Sequence, residues 1–324
     1  MSKPAFKKLQ YWFGDILANG VLTFMILILR FMDPKGIVSV SKAAGTAAFY
    51  LIKKYRKRVI SNLSLAFQGE KNPKMIEKLA KEVFINFTLT PLETVYAYIH
   101  PFEKYLLKIE IQGKEYLDSA LAQRKGVIAL GAHLGPFTLI GGRLSLEGYS
   151  FNLIINEGSF PKLWKRLGDY QRRLGQKLFF PKPATTSVKK SLNCLRRNEI
   201  LYLVTDEQKR RGGIPVPFFG QTAYTPPGPA IFSLKTGAPI LPMFIVREKG
   251  SPKTLFIGSP IEIERTSDEE KDVELLTAKF TRAIEDFIRQ YPGQWTWLNR
   301  RWKLPYGKET SEQSRNLWLD RLLK

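Results

Sequence analysis

The stretch Gly126-Val-Ile-Ala-Leu-Gly131-Ala132-His133-Leu134-Gly135-Pro136 opens with a short apolar run and breaks into glycine and proline around one histidine. The run has the composition of a buried strand. A helical pattern starts at Phe137, so His133 falls in the turn leaving a strand's C-terminal end. In open parallel sheets ligands bind at that edge, where a helix N-terminus also offers N–H groups to negative charge. Imidazole takes a proton near neutral pH, which makes His133 a candidate general base; the alternative is a histidine that only bonds its own loop. Gly135 lets the backbone approach a substrate closely.

Downstream the pattern repeats. Strand-like runs at Phe151–Ile155, Ile200–Thr205, Ile240–Val246 and Thr254–Ile257 alternate with helical stretches at Trp164–Leu174, Val188–Arg197, Gly228–Thr236 and Lys271–Arg289. This alternation predicts an α/β fold with a mostly parallel central sheet flanked by helices. The run ending at Thr205 leads into Asp206-Glu207-Gln208 and the basic Lys209–Arg211. If both strands belong to one parallel sheet, His133 and Asp206 project from the same edge. A carboxylate there fixes the imidazole tautomer and stabilises its protonated form. Asp206 ranks first as that acid, Glu207 second and Glu157 a distant third. No Ser or Cys occupies a G-x-S-x-G elbow, which argues against a covalent acyl-enzyme.

Upstream, apolar residues from Ile76 to Tyr96 recur at three and four residue steps, predicting one or two amphipathic helices between Asn72 and His100. His100 precedes Pro101 and reads as a structural helix end. The first 60 residues carry eight Lys and three Arg against Asp15 and Asp33, and Ile16–Met32 is mostly apolar. Those 17 residues fall short of the roughly 20 that a bilayer span needs. Residues 1–50 are therefore expected to form a membrane-anchoring helical segment, as one short span or an in-plane helix, with 51–324 as the α/β domain. A buried core helix and a secretory signal are the weaker readings. The tail Trp318–Lys324 is apolar and basic, as in a terminal amphipathic helix.

With 51 Lys and Arg against 29 Asp and Glu, the net charge of +22 demands an anionic partner. No nucleic-acid-binding pattern is present, which leaves anionic membrane lipid and an acidic carrier protein as the expected partners. The lone Cys194 and two histidines exclude a disulfide framework and a multi-histidine metal centre, and no metal or cofactor is expected. Arg210 and Arg211 are candidate binders of a substrate phosphate.

Together with the histidine segment, several motifs resemble the late lipid A acyltransferases and their phosphatidylinositol mannoside acyltransferase relatives, within the lysophospholipid acyltransferase superfamily. These are Thr205–Gln208, Ile214–Gly220, Thr225–Gly228, Thr236–Pro242, Tyr291–Trp297 and Arg300–Lys303. The likeness runs in order from about Lys54 to Lys303. It implies an N-terminal membrane helix at the cytoplasmic face of an inner membrane, monotopic or single-pass. It also implies acyl transfer, with acyl carrier protein or coenzyme A carrying the acyl group as co-substrate and a glycolipid or lysophospholipid hydroxyl as acceptor.

The family's motif is a histidine followed five residues later by an acid. Here His133 matches but the acid position is Thr138, so Asp206 is expected to supply the carboxylate. Two further departures, Asn156-Glu157 and Asn299, fall where the family often carries a basic residue and a histidine. Gly135, Thr138 and the block Phe218-Phe219-Gly220 complete the expected substrate-binding set, the phenylalanines as groove wall or plain core. The alternative function is a non-catalytic lipid- or carrier-binding relative that lost its acid at Thr138.

Overall fold

The computed structural model describes residues 3–155, 161–180, 183–209, 212–248 and 253–302. Glu157, Arg210, Arg211 and the tail from Trp318 lie outside them.

Four helices come first: α1 (Lys3–Leu29), α2 (Pro34–Leu51), α3 (Lys53–Ala66) and α4 (Pro73–Ile99). The Asn72 side chain caps α4 by accepting from Met75 N–H, with Pro73 at the first helical position. The segment from Asn72 to His100 is thus one helix. Pro91 lies inside it and has no N–H to return to the Phe87 carbonyl. His100 ends it, and its Nε2 lies 3.0 Å from the Leu29 carbonyl oxygen.

The alternating region then runs α5 (Phe102–Leu106), β1 (Glu110–Gln112), α6 (Lys114–Ala122), β2 (Val127–Gly131), α7 (Ile140–Leu146), β3 (Phe151–Ile154), α8 (Pro161–Arg173), β4 (Lys177–Phe179), α9 (Ala184–Arg196) and β5 (Ile200–Val204). It continues with β6 (Ile214–Phe218), β7 (Gln221–Thr225), α10 (Gly228–Thr236), β8 (Ile240–Arg247), β9 (Lys253–Ile257) and α11 (Glu269–Gln290).

Seven strands form the central sheet in the order β1-β9-β8-β2-β5-β3-β4. All its pairings are parallel except β8 with β9, which are antiparallel, as fits two strands too close in sequence for a crossover connection. A separate antiparallel hairpin, β6–β7, takes the Ile214–Gly220 block. The sheet is buried on both faces: Ile128 and Leu130 pack on one core, Val127 and Ala129 on the other. That two-sided burial accounts for the uninterrupted apolar run in β2. A third cluster joins α1, α2, α4 and α8 through Leu22, Ile26, Leu29, Ile37, Leu89 and Leu163.

Among the described residues, no helix is long and apolar enough to cross a membrane. The single-pass alternative is not supported. Helix α1 instead lies against α4 and α8. Asp15 on α1 is 4% exposed, and its carboxylate accepts from the backbone N–H of Lys162 and of Leu163, the first turn of α8. Elsewhere α1 leaves Leu17, Val21, Phe24 and Leu27 exposed, as is Phe31 just beyond its end.

Candidate active site

Register places the two chief candidates. Gly131 is the partner of Val204 in the parallel pairing of β2 with β5. His133 and Asp206 each follow two residues later, so they leave the same sheet edge side by side. Glycine at 131 makes room for Tyr202, since a Cβ would stand 2.2 Å from its hydroxyl and push the buried ring aside.

His133 Nδ1 lies 2.9 Å from Asp206 Oδ1, while Asp206 Oδ2 accepts from the His133 backbone N–H at 2.8 Å. The Trp295 indole N–H donates to the same Oδ2 at 2.7 Å. At its carbonyl, His133 is held by the N–H and hydroxyl of Thr296, at 3.1 and 3.0 Å. The Phe137 ring meets the imidazole edge-on, with centroids 5.0 Å apart. These contacts fix the ring through Nδ1 and leave Nε2 for a substrate. The Asp206 side chain is 1% exposed and that of His133 30%, so the carboxylate is sealed and the ring is open.

Burial alone would lower the His133 pKa, but the charge and hydrogen bond of Asp206, helped by the charge of Glu207, raise it to about 9. Asp206 is opposed by burial too, yet its bonds to His133 and Trp295 hold it below the usual carboxylate range. Both shifts favour the imidazolium–carboxylate form of the pair.

His133 opens into a cavity of about 890 Å³. Helix α1 contributes Leu17, Val21 and Met25, α4 runs along it from Val83 to Tyr98, and α8 adds Leu163, Trp164 and Leu167. That length of α4 spans about 22 Å at the helical rise. The wall is mainly apolar, while Glu207, Asn299, Asn86 and Gln294 supply polar groups. This suits a long hydrocarbon chain with a polar head near the histidine.

The other expected residues fall into three groups. Gly135, Thr138 and Glu207 line the cavity. Gly135 has φ +57, and a Cβ there would stand 2.2 Å from the Ile245 carbonyl oxygen. The Thr138 hydroxyl is committed to Thr94 on α4, at 2.5 Å. Glu207 accepts from Asn299 Nδ2 at 3.1 Å, leaving Asp206 as the carboxylate bonded to the ring among the described residues.

Of the two readings of Phe218 and Phe219, groove wall or plain core, the structure places them in the core. Both are buried in a core with Phe67, Trp295, Trp297 and Trp302, and they do not reach the cavity. The physical reason is the β6–β7 hairpin, whose alternation turns Phe218 inward beneath Trp295. Gly220 is exposed at the hairpin turn with φ +71, also off the cavity. Among the described residues no cluster of His, Cys, Asp and Glu could hold a metal ion.

Sequence reasoning assigned no role to Trp295, Thr296 or Gln294, which brace the histidine turn. Their signal was the aromatic block Tyr291–Trp297, conspicuous in composition but carrying no acid or base. The contribution of α1 to the cavity was equally hidden, because its apolar surface reads first as membrane contact and only second as core.

Comparison with known proteins agrees with this architecture. Residues 1–304 match the family described as bacterial lipid A biosynthesis acyltransferase. The lipid A biosynthesis lauroyltransferase of Escherichia coli K12 is 24% identical over 80% of this chain and 82% of its own length. A phosphatidylinositol mannoside acyltransferase of Mycobacterium tuberculosis (strain CDC 1551 / Oshkosh) is 26% identical over 64% of each chain. The lipid A biosynthesis palmitoleoyltransferase of Escherichia coli K12 is 23% identical over 82% of this chain and 85% of its own length. An imidazole and a buried carboxylate at the mouth of an apolar cavity accord with these likenesses: the chain belongs to the bacterial lipid A biosynthesis acyltransferase family and is an enzyme of the acyltransferase class.

Proposed function

We propose that the protein moves a fatty acyl group from a thioester, on acyl carrier protein or coenzyme A, to a hydroxyl of a glycolipid or lysophospholipid. The observation that carries this reading is the bonded pair of His133 and Asp206 facing a long apolar cavity. In its neutral form His133 takes the acceptor's hydroxyl proton at Nε2, and the oxygen attacks the thioester carbonyl. The tetrahedral intermediate collapses with cleavage of the C–S bond. The imidazolium returns its proton to the departing sulfur, leaving an ester and a thiol. Asp206 keeps its charge throughout, orienting the ring and stabilising the transient imidazolium. No protein nucleophile is needed. The rival reading, a binder that lost its acid, rests on Thr138; a carboxylate already bonded to the ring favours catalysis.

In this reading residues 1–50 touch the cytoplasmic face of an inner membrane without crossing it. Support comes from the exposed Leu17 and Phe24 on α1 and Phe31 just after it, and from exposed Tyr50, Leu51 and Ile52 beside Lys53, Lys54 and Lys57. Such a mixture suits the boundary between acyl chains and anionic headgroups. Because α1 also lines the cavity, the same segment contributes to acyl-chain binding. Arg210 and Arg211 remain candidates for a donor or acceptor phosphate.

The test is transfer itself. Purified full-length protein is incubated with radiolabelled acyl-carrier-protein and acyl-coenzyme A thioesters and lipid extracted from the source cells. A new acylated lipid is expected, absent with His133→Ala. Equal product from His133→Ala would sink the mechanism, and none from the unaltered protein with any donor would sink the function.

A further inference from the structure

Strand β8 ends at Arg247, whose side chain is 10% exposed and reaches α4. Its guanidinium donates to Glu93 Oε2 at 2.8 Å, to Asn86 Oδ1 at 3.0 Å and to the Thr90 hydroxyl at 2.8 Å. Its backbone is gripped by Gln294, which accepts from Arg247 N–H at 2.9 Å and donates to the Arg247 carbonyl at 2.7 Å. The same two partners hold Gly135, two residues past the histidine. Gly135 N–H donates to the Gln294 carbonyl at 3.0 Å, and the Thr90 hydroxyl donates to the Gly135 carbonyl at 3.2 Å.

We infer that Arg247 is a positioning residue for acyl transfer: its guanidinium through Thr90, and its backbone through Gln294, hold the two backbone groups of Gly135, and so the turn that aims His133 into the cavity, the Thr90 link being the one its side chain controls. This inference rests on the catalytic reading of His133 given above.

Each link has a physical reason. A hydroxyl has a single hydrogen to give; by donating into the Thr90 oxygen, Arg247 occupies a lone pair and leaves that hydrogen for the carbonyls of Gly135 and Asn86. The guanidinium fork reaches Glu93, Asn86 and Thr90 at once, which an ammonium on a flexible stem cannot do in one fixed geometry. Glu93 also pairs with Lys253 at 3.0 Å, and Lys253 donates to the Tyr105 hydroxyl. Neutralising Arg247 therefore leaves Glu93 a cationic partner, which separates the loss of positioning from the stranding of a buried charge.

The chain has only two histidines, which makes the consequence visible without turnover. Full-length protein carrying ¹⁵N-histidine in detergent micelles gives two imidazole spin systems, and His133→Ala assigns them. In Arg247→Met the His133 Nδ1–H signal is expected to broaden, and its titration midpoint to fall by about half a unit or more as the Asp206 bond loosens, with His100 unchanged. In the transfer assay kcat is expected to fall about tenfold with the donor KM unchanged, and Arg247→Lys to recover part of the loss. Thr90→Val removes the hydroxyl that joins Arg247 to the Gly135 carbonyl, together with its bond to the Asn86 carbonyl, and leaves Arg247 paired with Glu93; it should reproduce the His133 changes, so it decides the matter if Arg247→Met does not fold. A folded Arg247→Met or Thr90→Val protein with the His133 signal and midpoint of the unaltered chain overturns the inference. Absence of transfer by the unaltered protein would condemn the proposed reaction instead, while the nuclear magnetic resonance result still decides the role of Arg247.

Discussion

Asp206 holds His133 twice, through the ring at Nδ1 and through the backbone N–H, so one carboxylate sets both the position of the turn and the direction of the imidazole. An amide can do both only by forcing the ring into the Nε2–H tautomer, which has no base to offer the substrate. Asn at 206 presents a single acceptor oxygen and, at the other position, an NH₂ that would face a donor in the Nδ1–H tautomer.

Asp206→Asn is therefore expected to lower kcat by about 100-fold or more, the range for loss of effective general-base catalysis. The pH profile carries the sign. In the unaltered protein His133 is protonated up to about 9, so kcat/KM should climb as pH rises toward that value and the base form appears. Removing the Asp206 charge removes the main influence raising the pKa, and the rising limb should move to lower pH. A profile unchanged in position would contradict the pairing.

The same shifts predict the pH dependence of stability. His133 has a raised folded pKa, so its contribution is complete below its unfolded value and fades as pH climbs through about 9. Asp206 has a depressed folded pKa; its contribution is present above the unfolded carboxylate value and is lost as pH falls through the folded one. Chemical denaturation of the unaltered protein and of Asp206→Asn across pH should show the difference between them greatest near neutrality and shrinking toward both extremes.

How much of this was legible in the sequence depended on the range of the interaction concerned. The β2 and β5 runs are short, apolar and followed by chemistry-bearing turns, so local pattern alone put His133 and Asp206 at one edge of a parallel sheet. The strand at β9 reads as Thr254–Ile257, but its antiparallel pairing with β8 does not, because composition does not encode which neighbour a strand takes. Phe218 and Phe219 were ambiguous for the same reason: an aromatic pair lines a groove or a core according to what folds over it, and here Trp295, Trp297 and Trp302 do. Nothing local connects Trp295 to a carboxylate 89 residues earlier.

Thr138 stands where the family motif has an acid, and restoring one is expected to harm rather than help. Nδ1 of His133 already belongs to Asp206, and the Thr138 side chain points to Thr94 on the cavity wall. A glutamate there would place a carboxylate against an apolar surface without a partner cation among its hydrogen-bonding neighbours. Thr138→Glu should reduce kcat about tenfold or more, whereas Thr138→Ser should stay within about twofold. Enhanced transfer by Thr138→Glu would show that Asp206 is an incomplete substitute.

Trp295 supplies the indole donor to Asp206 Oδ2 from within the core. Trp295→Phe keeps an aromatic body but withdraws a hydrogen bond from a buried charge, a loss of about 1.5–3 kcal/mol. Urea denaturation should register that cost. The Asp206 carboxyl should become easier to protonate, so activity at the acidic end of the profile should fall more than activity at pH 8. Equal losses across the range would mean that the indole serves packing alone.

Asp15 is the least expected contact, since a carboxylate in an apolar N-terminal helix would be a liability in a membrane span. Its oxygens instead accept the first N–H groups of α8, as a capping residue does, but from another helix. Asp15→Ala removes that cap and should cost about 1 kcal/mol of stability, with Asp15→Asn costing less because one acceptor survives. Leu163, Trp164 and Leu167 lie on the cavity wall beside Leu17 and Val21 of α1, so loosening this seam should also broaden the range of acyl chains transferred. Competition among thioesters of different chain length measures it: the ratio of preferred to longer donor should fall in Asp15→Ala and stay fixed in a surface variant such as Lys42→Ala. An unchanged ratio with lowered stability would confine Asp15 to holding α8 in place.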